Sequence, residues 1–279
     1  MIFDDSHMDT LADLLSETAK AEIMPRFRRL EKSSIRRKTS RDDLVTEGDV
    51  AAERMITNAL RQRYPGALIV GEESVSANPA LLAGLADADL AFIVDPIDGT
   101  FNFASGLPLF CVMLAVTTNG ETVAGIIHDP VGGDWLLAAR GGGSFVRDGG
   151  GDLTPTRVAD PIPVSEMTGS VSWQFLDEPD RSRVAANQTR CLAPMNYRCV
   201  AHEYRLLAQG HAEFGCYTKL MPWDHLAGTL IHAEAGGHVA KLDGTPYRAG
   251  DASESRLLAA PDFDSWLELR RLLWGQSAT

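Results

Sequence analysis

Two short apolar runs in this chain end abruptly in carboxylates. "ALIVG" (67–71) runs into Glu72 and Glu73, and "LAFIV" (90–94) runs into Asp95, with Asp98 three residues later. A third acid, Asp224 in "MPWDHLAG", stands where a helix begins, and Asp49 stands in the N-cap region of an earlier helix. One acid in such a place reads as a helix cap. Several at element ends, aimed at one space, repel one another and take up protons unless cations relieve them. These candidate ligands are all oxygen donors, and no Cys or His pair has metal spacing. That selects a hard ion, Mg²⁺ with Mn²⁺ as the alternative, over zinc. Mg²⁺ binds few protein carboxylates, keeps waters, and works with a substrate phosphate.

The stretch "VDPIDGTFNF" (94–103) sharpens this reading. Pro96 pushes Asp95 into an extended conformation and has no N–H of its own, so the segment can turn away from a sheet. Asp98 and the Ile97 carbonyl then face the same space as Asp95. Gly99 and Thr100 follow at the start of a short helix, where N–H groups and the helix dipole suit a phosphate. Asp224 brings a second helix start. Cations, amides and a Thr hydroxyl make a phosphoryl-transfer site with water as nucleophile.

The elements that must position these residues follow from periodicity and punctuation. Leu11, Leu15, Ile23, Phe27 and Leu30 predict a helix over 8–31, kinked or split at Pro25. Met55, Ile56, Ala59 and Leu60 predict a second helix ending before Pro65, and a weak helix covers 79–86. Asn119-Gly120 lies between "LFCVMLAVTT" and "ETVAGIIHDP", the signature of a tight hairpin, which "WLLAA" and "GSFV" extend into a meander. The glycine triplets 141–143 and 149–151 open no helix and read as turns. The Pro- and Asp-rich stretch 152–165 reads as a boundary, giving units 1–160 and 161–279. The second unit alternates strands ("GSVSW", "APMNY", "EFGCY", "HVAKL", "RLLAA") with helices ("AHEYRLLAQG", "DHLAGTLIHAEAGG", 262–274). The whole is α/β: α+β in its first half, α/β in its second.

Composition narrows the class. At 279 residues, 44% hydrophobic and 23% charged, the chain can bury a sizeable core. A net charge of −12 argues against non-specific nucleic-acid binding, which needs clustered Lys and Arg. The four cysteines show no zinc spacing and read as free, mostly buried thiols of a reducing compartment. No run reaches the length of a membrane span, and the acidic start lacks the features of a signal peptide, so a cytoplasmic protein is expected.

"GEES" (71–74), "DPIDGTFNF" (95–103) and "WDHLAGTLIHAEAGG" (223–237), with "DLVTEGD" (43–49) as a fourth segment, resemble the motifs of the inositol monophosphatase family of Mg²⁺-dependent, lithium-sensitive phosphatases. Their order and spacing match over about residues 8–275. The resemblance implies a layered α/β/α/β/α sandwich and a homodimer acting on a small phosphorylated metabolite, with two to three Mg²⁺ ions. It implies that Glu72, Asp95 and the Ile97 carbonyl hold one ion, that Asp95, Asp98 and Asp224 hold a second, and that a looser third uses Glu72 near Asp49. Thr100, backed by Glu72 and Asp49, would activate water. The Gly99 and Thr100 amides would hold phosphate, Asp98 and Asp224 would touch substrate hydroxyls, and Glu73 would stand behind the ligands.

The chain also departs from the family. Tyr217 stands where inositol-selective members have a sugar-gripping Glu, seven residues before Asp224. "NYRCVAHEY" replaces a small, Gly- or Ser-rich segment, and its Arg198, with Lys219, is a candidate reader of a second anionic group. Phe101 stands where relatives acting on nucleotide or histidinol phosphates often carry Lys. A small polyol or sugar phosphate is therefore the expected substrate. A fructose bisphosphate, another bisphosphate, a nucleotide or histidinol phosphate is the alternative, and a regulatory binding protein on the same fold is the reading from another class.

Overall fold

The computed structural model describes residues 5–31, 34–38 and 44–275. Asp43, which opens the fourth motif, lies outside them. Helix α1 (Asp5–Thr18) buries Leu11 and Leu15 and passes into a π-helical turn, Ala19–Ile23, just ahead of Pro25. The helix expected over 8–31 thus stops rather than kinks, because Pro25 cannot donate the next helical hydrogen bond. A short ribbon, β1 (Ile35–Arg37) antiparallel to β2 (Leu44–Thr46), follows; the sequence pattern did not announce it. In α2 (Glu47–Arg63) the N-cap is Thr46, not Asp49. Asp49 is the reciprocal partner of a capping box, accepting from the Thr46 N–H at 2.8 Å, while Thr46 Oγ1 accepts from the Gly48 N–H at 3.1 Å.

Next come β3 (Leu68–Gly71), α3 (Glu72–Ala77), a 3₁₀ segment (Pro79–Gly84) in place of the weak helix, β4 (Ala91–Asp98) and α4 (Thr100–Ser105). The expected meander is β5 (Cys111–Thr118), β6 (Glu121–Asp129), β7 (Asp134–Ala139) and β8 (Gly143–Arg147). It gains a further strand, β9 (Leu153–Pro155), inside the stretch expected to be a boundary. These strands form one sheet in chain order, β3 to β9, with β3 and β4 parallel and the rest antiparallel.

The remainder is β10 (Thr168–Val171), α5 (Asp180–Gln188), β11 (Ala193–Met195), α6 (Val200–Ala208), β12 (Phe214–Tyr217), α7 (Pro222–Glu234), β13 (His238–Lys241), β14 (Leu257–Ala260) and α8 (Phe263–Trp274). The second sheet runs β11-β10-β12-β14-β13. Helix α5 escaped the sequence pattern because it has almost no apolar stripe; Val184 and Gln188 are its buried residues.

The period-2 alternation of β4 sorts its side chains between two cores. Phe92 and Val94 face α1 and α2, packing with Leu15, Ile56 and Leu60. Ile93 faces the other way, into a layer filled by Tyr204 of α6 and Leu226, Ala227 and Leu230 of α7. That layer also takes Tyr217 and Leu257 from the second sheet, whose far face carries Phe214 and Leu258 against Trp266 and Leu269 of α8. The order is α/β/α/β/α, as expected.

Helix α7, buried in the central layer, carries a pH-sensitive group. His232 is fully buried with Nε2 against the Ala260 carbonyl at 3.0 Å, and burial depresses its pKa to about 4. A folded value below the usual ~6.5 means that its stabilising contribution is intact above pH ~6.5 and is lost as pH falls towards ~4, by about 3 kcal/mol at the lower end. Thermal unfolding of His232→Gln followed from pH 7 to 4 is expected to lack this part of the wild-type acid slope.

Candidate active site

The site is assembled where β3 and β4 end side by side. Gly71 pairs with Val94, so Glu72 leaves one strand where Asp95 continues the other. The β4–β5 register slips between Asp95 and Asp98, around Pro96, and this irregularity lets both aspartates turn to one side. The Ile97 N–H donates to Asp95 Oδ1 at 3.0 Å and fixes that carboxylate. Gly99, at φ +87°, makes the sharp entry into α4, where a Cβ would meet the Leu109 carbonyl oxygen at 2.8 Å. Thr100 Oγ1 lies 3.0 Å from Asp49 Oδ1 and 2.9 Å from the Ile97 carbonyl. Its single proton serves one of them at a time.

The second half of the chain closes the site through two helix starts. Asp224, in the first turn of α7, has a carboxylate oxygen within 4.8 Å of those of Asp95 and Asp98. Asp98 Oδ2 also accepts from the Ala201 N–H at 2.6 Å and from the Cys199 thiol at 3.0 Å, both at the start of α6. One carboxylate thus caps a helix more than 100 positions away and faces the acid cluster.

The electrostatics follow from crowding. Asp95 is 2% exposed. Burial, then the charges of Glu72, Asp98 and Asp224, push its pKa well up. Asp224 is raised by burial and then by Asp98 and Glu72. Glu72 is raised by burial against the pull of Lys38, and Asp49 by burial against hydrogen bonds from Thr46. Carboxylates in this state hold protons or cations. With oxygen donors alone, the cluster suits a hard ion.

Residues 4–273 match the family model described as "Inositol monophosphatase family". The chain belongs to the inositol monophosphatase family. Its members include phosphoric monoester hydrolases, and this chain is an enzyme of that class. A fructose-1,6-bisphosphatase/inositol-1-monophosphatase of Thermotoga maritima is 30% identical over 217 residues, 76% of each chain. A Nus factor SuhB of Pasteurella multocida is 32% identical over 211 residues, 74% of each. Among solved structures, the IMPase of Thermotoga maritima superposes with a TM-score of 0.78 at 26% identity over 96% of each chain. An extragenic suppressor protein suhB of Bartonella henselae, at 23% identity and 0.78, supports the fold.

Within this inositol monophosphatase fold, Glu72, Asp95, Asp98, Asp224, Thr100 and Asp49 come together. Glu73 stands beside them, bound by Lys38 at 2.5 Å and pushed up to about 7 by burial and by Glu72. Tyr217 is placed differently from a substrate contact: it is buried in the central layer, its ring centroid 4.8 Å from that of His225, because an aromatic at this position packs inward. Arg198, at φ +53°, is exposed with its guanidinium 3.5 Å from the centroid of the Phe101 ring at the site's edge. Lys219 is exposed and stands over Phe175. His225 is an internal helix-start residue, between Tyr204 Oη and the Lys219 carbonyl.

Two residues escaped the sequence reading. Lys38 Nζ bridges Glu72 at 2.8 Å and Glu73; lying in an Arg/Lys run, it carried no signal. Glu53 did, being four positions after Asp49 on the same helix face. It accepts from the Glu73 N–H at 2.6 Å, the Ser74 N–H at 2.9 Å and the Ser74 hydroxyl, and so anchors the start of α3 that presents Glu72. Glu53→Ala is expected to cost about 2 kcal/mol in urea unfolding, the scale of a charged hydrogen-bonded acceptor. It should also raise the Mg²⁺ concentration needed for phosphate release.

Proposed function

We propose that this chain is a Mg²⁺-dependent phosphomonoesterase acting on a small polyol or sugar phosphate of the inositol 1-phosphate kind. The observation that carries the reading is the convergence of Asp95, Asp98 and Asp224 within 4.8 Å, beside the Thr100–Asp49 hydrogen bond. The raised carboxylate pKa values and the oxygen-only donor set fit divalent cations. Glu72, Asp95 and the Ile97 carbonyl would hold one ion, Asp95, Asp98 and Asp224 a second, and Glu72 a looser third. When bound, the ions neutralise phosphate oxygens and make water more acidic.

The chain's own residues supply the rest. Thr100 Oγ1 accepts a hydrogen bond from the attacking water and passes its own proton towards Asp49, whose buried carboxylate is a suitable proton acceptor. The Gly99 and Thr100 amides cradle the phosphate. Asp98 and Asp224 orient substrate hydroxyls, and Glu73 with Lys38 fixes Glu72. Arg198 on Phe101 is the reader of a second anionic group. Lithium inhibition and a cytoplasmic homodimer belong to the same reading by family resemblance.

The test is a phosphate-release screen over inositol, sugar, nucleotide and histidinol phosphates and fructose 1,6-bisphosphate with millimolar Mg²⁺. Turnover is expected on the polyol and sugar monophosphates. No release from any substrate would sink the reading. Relatives named Nus factor SuhB favour a second function as a regulatory binding protein. An affinity pull-down with no partner, alongside robust turnover, would dispose of that.

A further inference from the structure

Directly behind Asp98 lies a second group of metal-ligating atoms. The thiols of Cys111, at the start of β5, and Cys199, at the N-cap of α6, lie with a His202 ring nitrogen within 4.8 Å of one another. Both cysteines are free and buried, and His202 Nε2 is buried with no hydrogen-bond partner among the described residues. The other two cysteines, Cys191 and Cys216, belong to the outer core beside α8 and take no part. We propose that Cys111, Cys199 and His202 form an inhibitory zinc site that shares Asp98 with the acid cluster.

The donor set is the reason. Two sulfurs and one imidazole nitrogen prefer Zn²⁺ over the hard ions that suit the neighbouring carboxylates. Tetrahedral zinc, with bonds of about 2.0–2.3 Å, separates its ligand atoms by about 3.3–3.8 Å. Atoms already within 4.8 Å reach that by small side-chain rotations. Asp98 Oδ2, 3.0 Å from Cys199 Sγ, stands ready as the fourth ligand. Binding releases two thiol protons to solvent and leaves two thiolates, one carboxylate and Zn²⁺, a net charge of −1. The guanidinium of Arg205, itself paired with Asp134 at 2.7 Å, lies near enough to favour the thiolate form of Cys111. Zinc on Asp98 Oδ2 draws the charge of that carboxylate away from the acid cluster that it also faces, so the soft site is filled at the expense of the hard one. The inhibition, though not the site, rests on the phosphatase reading.

Titration of the reduced full-length protein with Co²⁺, a spectroscopic stand-in for zinc, reads the site itself. A thiolate-to-cobalt charge-transfer band and the strong visible bands of a tetrahedral ion are expected at one equivalent. They should be lost in Cys111→Ser and His202→Ala and kept in Cys216→Ser. Zn²⁺ is then expected to inhibit phosphate release at fixed Mg²⁺, with Cys111→Ser at least tenfold less sensitive, the scale seen when a metal's surroundings are disrupted. Absence of the thiolate band in the wild type overturns the site, whatever the phosphatase screen shows. Equal zinc sensitivity in the wild type and Cys111→Ser overturns the inhibitory role.

Discussion

Asp95→Asn is expected to lower phosphate release from inositol 1-phosphate at millimolar Mg²⁺ by more than about 100-fold, beyond the effect of disturbing a metal's outer partners. Asp95 is almost fully enclosed and is the carboxylate on which Glu72, Asp98, Asp224 and Asp49 all press. An amide has the same shape and keeps an acceptor for the Ile97 N–H, now held at 3.0 Å by Oδ1. It removes the charge that draws a cation. The same change should stabilise the cation-free protein, because a buried charge repelled by its neighbours disappears. For a chain of this class, each kcal/mol gained raises the melting temperature by about 2–4 °C. Thermal unfolding with and without Mg²⁺ checks this: the wild type gains stability from Mg²⁺, and Asp95→Asn starts higher and gains little. Turnover within a few-fold of wild type would remove Asp95 from the chemistry.

Gly125→Ala and Gly228→Ala are expected to cost about 3 kcal/mol or more each, the upper end of overpacking effects. Gly125 lies in β6 where α7 crosses it, and a Cβ there would stand 2.7 Å from the Ala227 carbonyl oxygen and 3.0 Å from its Cα. Backbone atoms cannot rotate away, so helix and sheet must part. Gly228, within α7, would place a Cβ 2.1 Å from the fully buried ring of Tyr204. Helix propensity favours Ala over Gly by about 1 kcal/mol, but a contact this short outweighs it. Lifting α7 also moves Asp224 away from Asp95 and Asp98, so cation affinity should fall along with stability. Gly66→Ala, with no atom of the described residues within 4 Å of its Cβ, should be near neutral. Urea unfolding and Mg²⁺ titration of the three variants together make the check. Stability equal to wild type in Gly125→Ala would mean that α7 is not packed on β6 in this way.

Much of this architecture was legible because the forces that decide it are local. Period-2 runs flanking Asn119-Gly120 can form little except a hairpin, and the acids ending apolar strands have few places to go. The helix of 222–234 and its terminating glycines read off in the same way. What stayed hidden depends on partners remote in sequence. The ribbon β1–β2 is too short to show a period, α5 has hardly any apolar stripe, and β9 owes its pairing to β8 alone. Asp49 resembled a cap because its type and place fit one; only the hydrogen bonds showed that Thr46 takes that role.

The chain's sequence, then, determined the acid-bearing strand ends, the short helix after Gly99 and the family they belong to, because these are encoded in contiguous residues. Tertiary structure alone decided the rest. It brought Lys38 and Glu53 to the shoulders of Glu72, turned Tyr217 into the core, and set Cys111, Cys199 and His202 together against Asp98. Each of these depends on the close packing of α2 on one face of the first sheet and of α6 and α7 on the other. No spacing within a single segment encodes that juxtaposition, since it joins residues tens of positions and more apart by contacts that exist only once the layers have closed.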